Sequence, residues 1–128
     1  MRRLLLDTHV LLWWLADDPQ LGRKARTLVK DVRNTVMVSA ASAWEISIKK
    51  AIGKLEAPEG LSNLIEDEGF ETLPITFFHG ERAGALPLLH RDPFDRMLVA
   101  QAQAEGLDVI TSDNRIQQYG VQTVDARL

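Results

Sequence analysis

The chain contains no cysteine, which excludes a disulfide framework and a thiolate metal site. That absence fits a reducing cytoplasm, the expected location. No uninterrupted apolar stretch is long enough to span a bilayer, and no membrane role is expected. The N-terminal segment MRRLLLDTHVLLWWLADD has the superficial look of a signal peptide. Asp7 and His9 interrupt its apolar run, however, and no small-residue cleavage site follows. It reads instead as a buried strand followed by a helix. Positive charge is also in short supply: the net charge is -3 and the pI about 5.6. A simple electrostatic nucleic-acid binder is basic, so any such role must work through local basic patches or bound cations. Repeats, low-complexity segments and linkers are missing too. His9, His79 and His90 are too scattered for a zinc motif.

What is present is ordinary for one soluble domain spanning residues 1–128, with 45% hydrophobic and 26% charged residues. RRLLLD is a short apolar run of the kind buried on both faces of a sheet. Thr8 to Leu15 reads as helical. Pro19 is placed to start a second helix over Leu21 to Val32, with Leu21, Ala25, Leu28, Val29 and Val32 on its apolar face. TVMVS is strand-like. Helices follow over 40–52 and 58–68, stopped by Gly53 and Gly69. FETLPI is a weaker strand, and residues 76–86 and 92–105 are helical, the latter closed by Gly106. LDVIT, a short helix over 113–119 closed by Gly120, and VQTV complete the chain. This alternation implies a mainly parallel sheet with helices on both faces. In such sheets, sites form outside the carboxyl ends of the strands, which directs attention to Asp7, Ser39 and Asp113.

Each acidic candidate also has a purely structural reading. Asp7 ends the first strand and can cap the next helix. Glu45 can pair with Lys49 at i, i+4, worth about 0.3–0.5 kcal/mol if exposed. Ala41, Trp44, Ile48 and Ile52 recur at helical spacing beside it, which places Glu45 at the border of a buried stripe, where a lone carboxylate is costly. In HRDPFDRMLVAQA, Asp92 is a helix cap followed by Pro93 at the first helical position. Asp95 is then placed either to reach back in a capping box or to leave the helix start for another partner. Asp113 can cap a helix, with Ser112 and Asn114 able to take its place. Together these acids converge on one edge of a parallel sheet. Converging carboxylates repel, and a hard divalent cation resolves that. Such a cation activates water and screens phosphate charge.

LLLDTHVLLWWL, SAASAWEISIKKAIGKL, HRDPFDRMLVAQAQAEG and DVITSDNRI resemble, in this order, the PIN domain, and within it the VapC-type toxins of bacterial toxin–antitoxin pairs. The resemblance covers essentially the whole chain. It implies a three-layer α/β/α sandwich and Mg²⁺- or Mn²⁺-dependent endoribonuclease activity. It implies Asp7, Glu45, Asp95 and Asp113 as catalytic metal-binding acids. Asp92 remains a cap that can support the site. Thr8, Thr111 and Ser112 would offer hydroxyls to waters or phosphate, and Lys49 and Arg96, with Lys50, Lys54 and Arg91, are candidates for phosphate contacts. The family further implies a homodimer, an RNA substrate and a small VapB-like antitoxin, with operator DNA bound only through the antitoxin complex. His9 is read as structural, with lining the site as the alternative, and His90 as a solvated loop residue, with phosphate contact as the alternative. Of Trp13 and Trp14, one is expected in the core and the other under a partner. Two other functions compete. An aspartyl-phosphate phosphatase would need a second acid two residues after Asp7, where His9 stands. A non-catalytic PIN-like RNA-binding or RNA-processing module would lack one or more of the acids that this chain keeps.

Overall fold

Leu4, Leu5 and Leu6 are fully buried and alternate between the two faces of one sheet, so the first strand must lie at its centre. The computed structural model describes residues 1–128. The strands are β1 (Arg3–Leu6), β2 (Thr35–Ser39), β3 (Glu71–Leu73), β4 (Asp108–Thr111) and β5 (Thr123–Asp125). They stand in the order β3-β2-β1-β4-β5, and every pairing is parallel. The chain winds outward from β1 to β3, then returns to β4 on the other side of β1. The boundary between β1 and β4 is therefore a topological switch point.

The helices are α1 (Thr8–Ala16), α2 (Arg23–Lys30), α3 (Ala40–Ala51), α4 (Leu61–Asp67), α5 (Phe77–Ala85), α6 (Pro93–Glu105) and α7 (Asn114–Gln117). Leu4, Leu6, Val36, Val38 and Ile110 face Val10, Leu11, Ala25, Val29 and Ile65 in one core. Leu5 and Val109 face Leu98, Val99, Ala102 and Ile116 in the other. These two cores, on opposite sides of the sheet, make the α/β/α sandwich anticipated from the alternation. The helices α5 and α6 lie against each other on the second side.

Three boundaries differ from those expected. The second helix starts at Arg23, not at Pro19–Leu21. Gly22 precedes it, and a side chain there would run into the main chain of Leu128. Leu128 O accepts from Lys24 N (2.8 Å) and Ala25 N (3.2 Å), so a distant segment caps this helix. The helix also stops at Lys30, leaving Val32 96% exposed and off its apolar face. The fourth helix begins at Leu61 rather than Pro58, because Gly60 sits in the left-handed region (φ 69°) and breaks the chain direction. No helix is long and apolar enough to cross a membrane.

Candidate active site

The carboxyl ends of β1 and β4 open into a cavity of about 510 Å³ with no hydrophobic residue in its lining. Asp7 leaves β1 there and serves two ends at once. Its Oδ1 caps α1 by accepting from Val10 N (2.9 Å), and its Oδ2 accepts from Thr111 Oγ1 (2.5 Å). Burial raises its pKa, against the hydrogen bonds from Thr111 and Val10.

Glu45 enters from α3 and is 4% exposed. Thr8 donates to its Oε1 (2.6 Å) and shares a hydrogen bond with Ser42 (3.0 Å), while Lys49 Nζ sits on Oε2 (2.5 Å). The expected burial is found, but the stripe invoked for it is not. Trp44, Ile48 and Ile52 are 60%, 38% and 59% exposed. The helix α3 turns Ala41, Ser42, Glu45 and Ile46 inward and Trp44 and Ile48 outward. Trp44 meets Phe94 edge-on at 5.2 Å on that outer face.

The segment HRDPFDR divides its labour residue by residue. Asp92 caps α6, its Oδ1 accepting from Phe94 N (2.8 Å) and Asp95 N (3.4 Å). In a capping box, Asp95 would return a bond to the Asp92 N–H. His90 does so instead: its Nδ1 accepts from Asp92 N (3.1 Å). Asp95 is thereby left free to point into the cavity. His90, expected in solvent, is 4% exposed. Its Nε2 lies 2.9 Å from Asp113 Oδ2 and 2.9 Å from Asp95 Oδ2. This is the residue that sequence reasoning undervalued. The signal available was its spacing, two residues ahead of a helix cap.

Asp113 follows β4 and caps α7 through Arg115 N (2.9 Å), and the Arg115 side chain grips both its oxygens. Thr111 Oγ1 accepts from Asp113 N (3.0 Å) while donating to Asp7, so one hydroxyl ties the two strand ends together. Ser112, Asn114, Arg115 and His9 line the cavity, and so do Thr8, Lys49 and Asp92. His9 is exposed there and takes the alternative reading. Arg96 does not face the cavity. Its guanidinium donates to the carbonyls of Ala83 (2.9 Å), Leu86 (3.0 Å) and Pro87 (2.9 Å), and more weakly to that of His90 (3.3 Å). Arg96 clamps the 86–90 loop through both terminal nitrogens of its guanidinium. Nor do Trp13 and Trp14 split as expected. Both are half-buried against the first core, Trp13 under Arg127 and Trp14 against Phe70.

The electrostatics follow from this crowding. Burial, and then the neighbouring Asp92 and Asp7 charges, push Asp95 up to about 7. Burial also works on Asp113, but hydrogen bonds from Arg115 and His90 outweigh it and hold that carboxyl at about 2. The cations Lys49 and Arg115 are each pulled upward by a carboxylate partner. A carboxyl group kept protonated to neutrality by its own neighbours lacks positive charge. A cation would supply that charge, and the oxygens around the cavity are the ligands a hard divalent cation takes. Asp7, Glu45, Asp95 and Asp113 all line this cavity, and their oxygens are of the kind such an ion takes.

The protein-family model described as PIN domain matches residues 4–122. Ribonuclease VapC22 of Mycobacterium tuberculosis is 30% identical over 127 residues, covering 93% of this chain and 93% of that protein. Ribonuclease VapC16 of the same organism is 40% identical over 62 residues, which cover 47% of this chain and only 44% of that protein. Among solved structures, DNA-bound VapBC from Salmonella typhimurium superposes with a TM-score of 0.71 at 18% identity, covering 98% of both chains, a likeness of fold.

Proposed function

The chain belongs to the PIN domain family, and from that premise we propose that it is a metal-dependent endoribonuclease acting as the toxin of a toxin–antitoxin pair. The observation that carries this reading is the convergence of Asp7, Glu45, Asp95 and Asp113 on one polar cavity at the β1/β4 switch point. The similarity to proteins named ribonuclease VapC22 and VapC16 supports the substrate class. Likeness to a DNA-bound VapBC complex supports a VapB-like antitoxin partner, with operator DNA reached through that complex. The exposed apolar face of α3, with Trp44, Ile48 and Ile52, suits a homodimer. Residues 1–128 act as one domain, in the cytoplasm.

Asp7, Asp95, Asp113 and Glu45 would hold Mg²⁺ or Mn²⁺, directly or through waters. When bound, the cation supplies an activated water and screens phosphate charge. Asp7 is fixed for this by Thr111, and Glu45 by Thr8. One carboxylate of the cavity takes the proton of the water attacking in line, directly or through a second water. Lys49, Arg115 and Ser112 stand at the same cavity and meet the phosphate backbone of the substrate.

The test is RNA cleavage by the purified chain with Mg²⁺, with Mn²⁺ and with EDTA, beside an Asp95→Asn variant prepared identically. Cleavage that needs the ion and disappears in the variant is expected. Equal cleavage by both preparations would assign the activity to a contaminant and remove its support.

A further inference from the structure

We infer that His90 is a positioning residue, a hydrogen-bonding strut that holds Asp95 and Asp113 for the cation without ligating it. The inference rests on the metal-dependent reading above and adds a role for a residue outside its acids.

His90 Nε2, Asp95 and Asp113 offer one atom each within 4.8 Å of one another, which at first sight is a ligand triad. The other ring nitrogen argues against that. Nδ1 accepts the Asp92 N–H at 3.1 Å, so the ring proton belongs on Nε2, a tautomer fixed by the bonding pattern. A protonated Nε2 has no lone pair for a metal. It has a hydrogen for Asp113 Oδ2 at 2.9 Å, with Asp95 Oδ2 equally close to the same nitrogen. Ligation would require moving the proton to Nδ1, where it would confront the Asp92 N–H and leave that donor without its acceptor. The main chain that carries the ring is held in place as well. His90 N donates to Tyr119 Oη (2.8 Å), which donates to Pro87 O (3.0 Å), and Arg96 grips the same loop. Arg96 and Tyr119 hold the loop, the loop holds His90, and His90 hydrogen-bonds the Asp113 carboxylate at the end of β4 while standing 2.9 Å from that of Asp95 on α6. With the imidazole excluded, the ligand set is all oxygen, which favours Mg²⁺ or Mn²⁺ over metals that seek nitrogen.

Two measurements test this on the full chain. The first is a long-range ¹H–¹⁵N spectrum of the histidine rings, without metal and with saturating Mg²⁺. The strut requires a protonated Nε2 and an unprotonated Nδ1 on His90 in both. Loss of the Nε2 proton on adding Mg²⁺ would overturn it. The second is calorimetric Mg²⁺ titration of wild type, His90→Gln and His90→Leu, with melting curves to establish folding. Glutamine places an acceptor oxygen and a donor nitrogen across one carbon, as the imidazole does. His90→Gln should keep wild-type affinity within about threefold, while His90→Leu should weaken it at least about tenfold, the usual cost of losing a group that orients metal ligands. Leucine binding as well as wild type would overturn the strut, and so would glutamine falling as far as leucine, since that would mark the ring nitrogen as a ligand. If His90→Leu fails to fold, the glutamine variant and the ring spectrum decide. Wild type that binds no Mg²⁺ would instead bring down the metal-dependent reading itself, and this role with it.

Discussion

The starts of α5 and α6 are built with the same device. At α5, His79 Nδ1 accepts from Thr76 N (3.0 Å) while Thr76 Oγ1 accepts from His79 N (3.1 Å). At α6, His90 Nδ1 accepts from Asp92 N while Asp92 caps the helix. Both histidines are buried, at 2% and 4% exposure. The difference is in what the far nitrogen meets. His79 Nε2 lies 3.6 Å from Glu105, one half-exposed carboxylate on the same pair of helices. His90 Nε2 meets two carboxylates beside the ends of β1 and β4. The helix α5 follows β3, the outermost strand on its side, whereas α6 begins at the switch point. A helix start is thus a stability feature at the margin of the sheet, and the same chemistry becomes part of a site at its centre.

The comparison predicts a large asymmetry in activity. Asp95→Asn should lower cleavage at least about a hundredfold by removing a ligand of the activating ion. Glu105→Gln should leave it within about twofold, within ordinary surface-substitution tolerance. Comparable losses in the two variants, measured in one RNA cleavage assay, would mean that α5 and α6 differ less than their positions suggest.

A second asymmetry concerns pH. Asp95 keeps its proton up to about pH 7 in the folded, metal-free chain, but only to about pH 4 when unfolded. Between those values the folded chain holds the extra proton, so stability falls as pH rises through that window. Asp113, held at about 2, contributes stability that is lost only as pH falls below about 4, so it does not offset this slope. Metal-free wild type should therefore melt lower near about pH 8 than near about pH 5, and Asp95→Asn should show a smaller difference. Mg²⁺ should raise the melting temperature more at the higher pH, by binding the ionised form. Equal slopes in wild type and variant would remove Asp95 as the cause.

The smallest effects belong to the caps. Thr76→Ala should cost about 1 kcal/mol and leave cleavage unchanged, and Asp92→Asn about 1 kcal/mol or less. Denaturant melts and the cleavage assay together check both. Asp92→Asn that folds normally but loses activity would move Asp92 from cap to ligand.

Much of this was legible from local pattern. The order of elements, the parallel sheet and the gathering of Asp7, Glu45, Asp95 and Asp113 at one edge follow from apolar periodicity and from acids at strand ends, at a helix start and in a helix entering from that edge. Glu45 was placed correctly for a wrong reason. The apolar spacing of Trp44, Ile48 and Ile52 marks an exposed face, because periodicity reports that a helix has an apolar side, not which side the domain buries. Arg96 looked like a phosphate contact because it neighbours Asp95. Adjacent helix residues point about 100° apart, and the carbonyls that capture it lie on a loop whose position no local pattern specifies.

By itself, the sequence determined the elements whose causes are local: buried apolar strands, caps at Thr76 and Asp92, and glycine stops at Gly53, Gly69, Gly106 and Gly120. Hydrogen bonds and periodicities of this kind span a few residues and can be read along the chain. Tertiary structure alone decided that His90 Nε2 meets Asp113, that Arg96 serves a loop, and that Leu128 sets the start of α2. Each of those outcomes depends on a polar partner from a distant part of the chain, brought close only when the two cores fold onto the sheet.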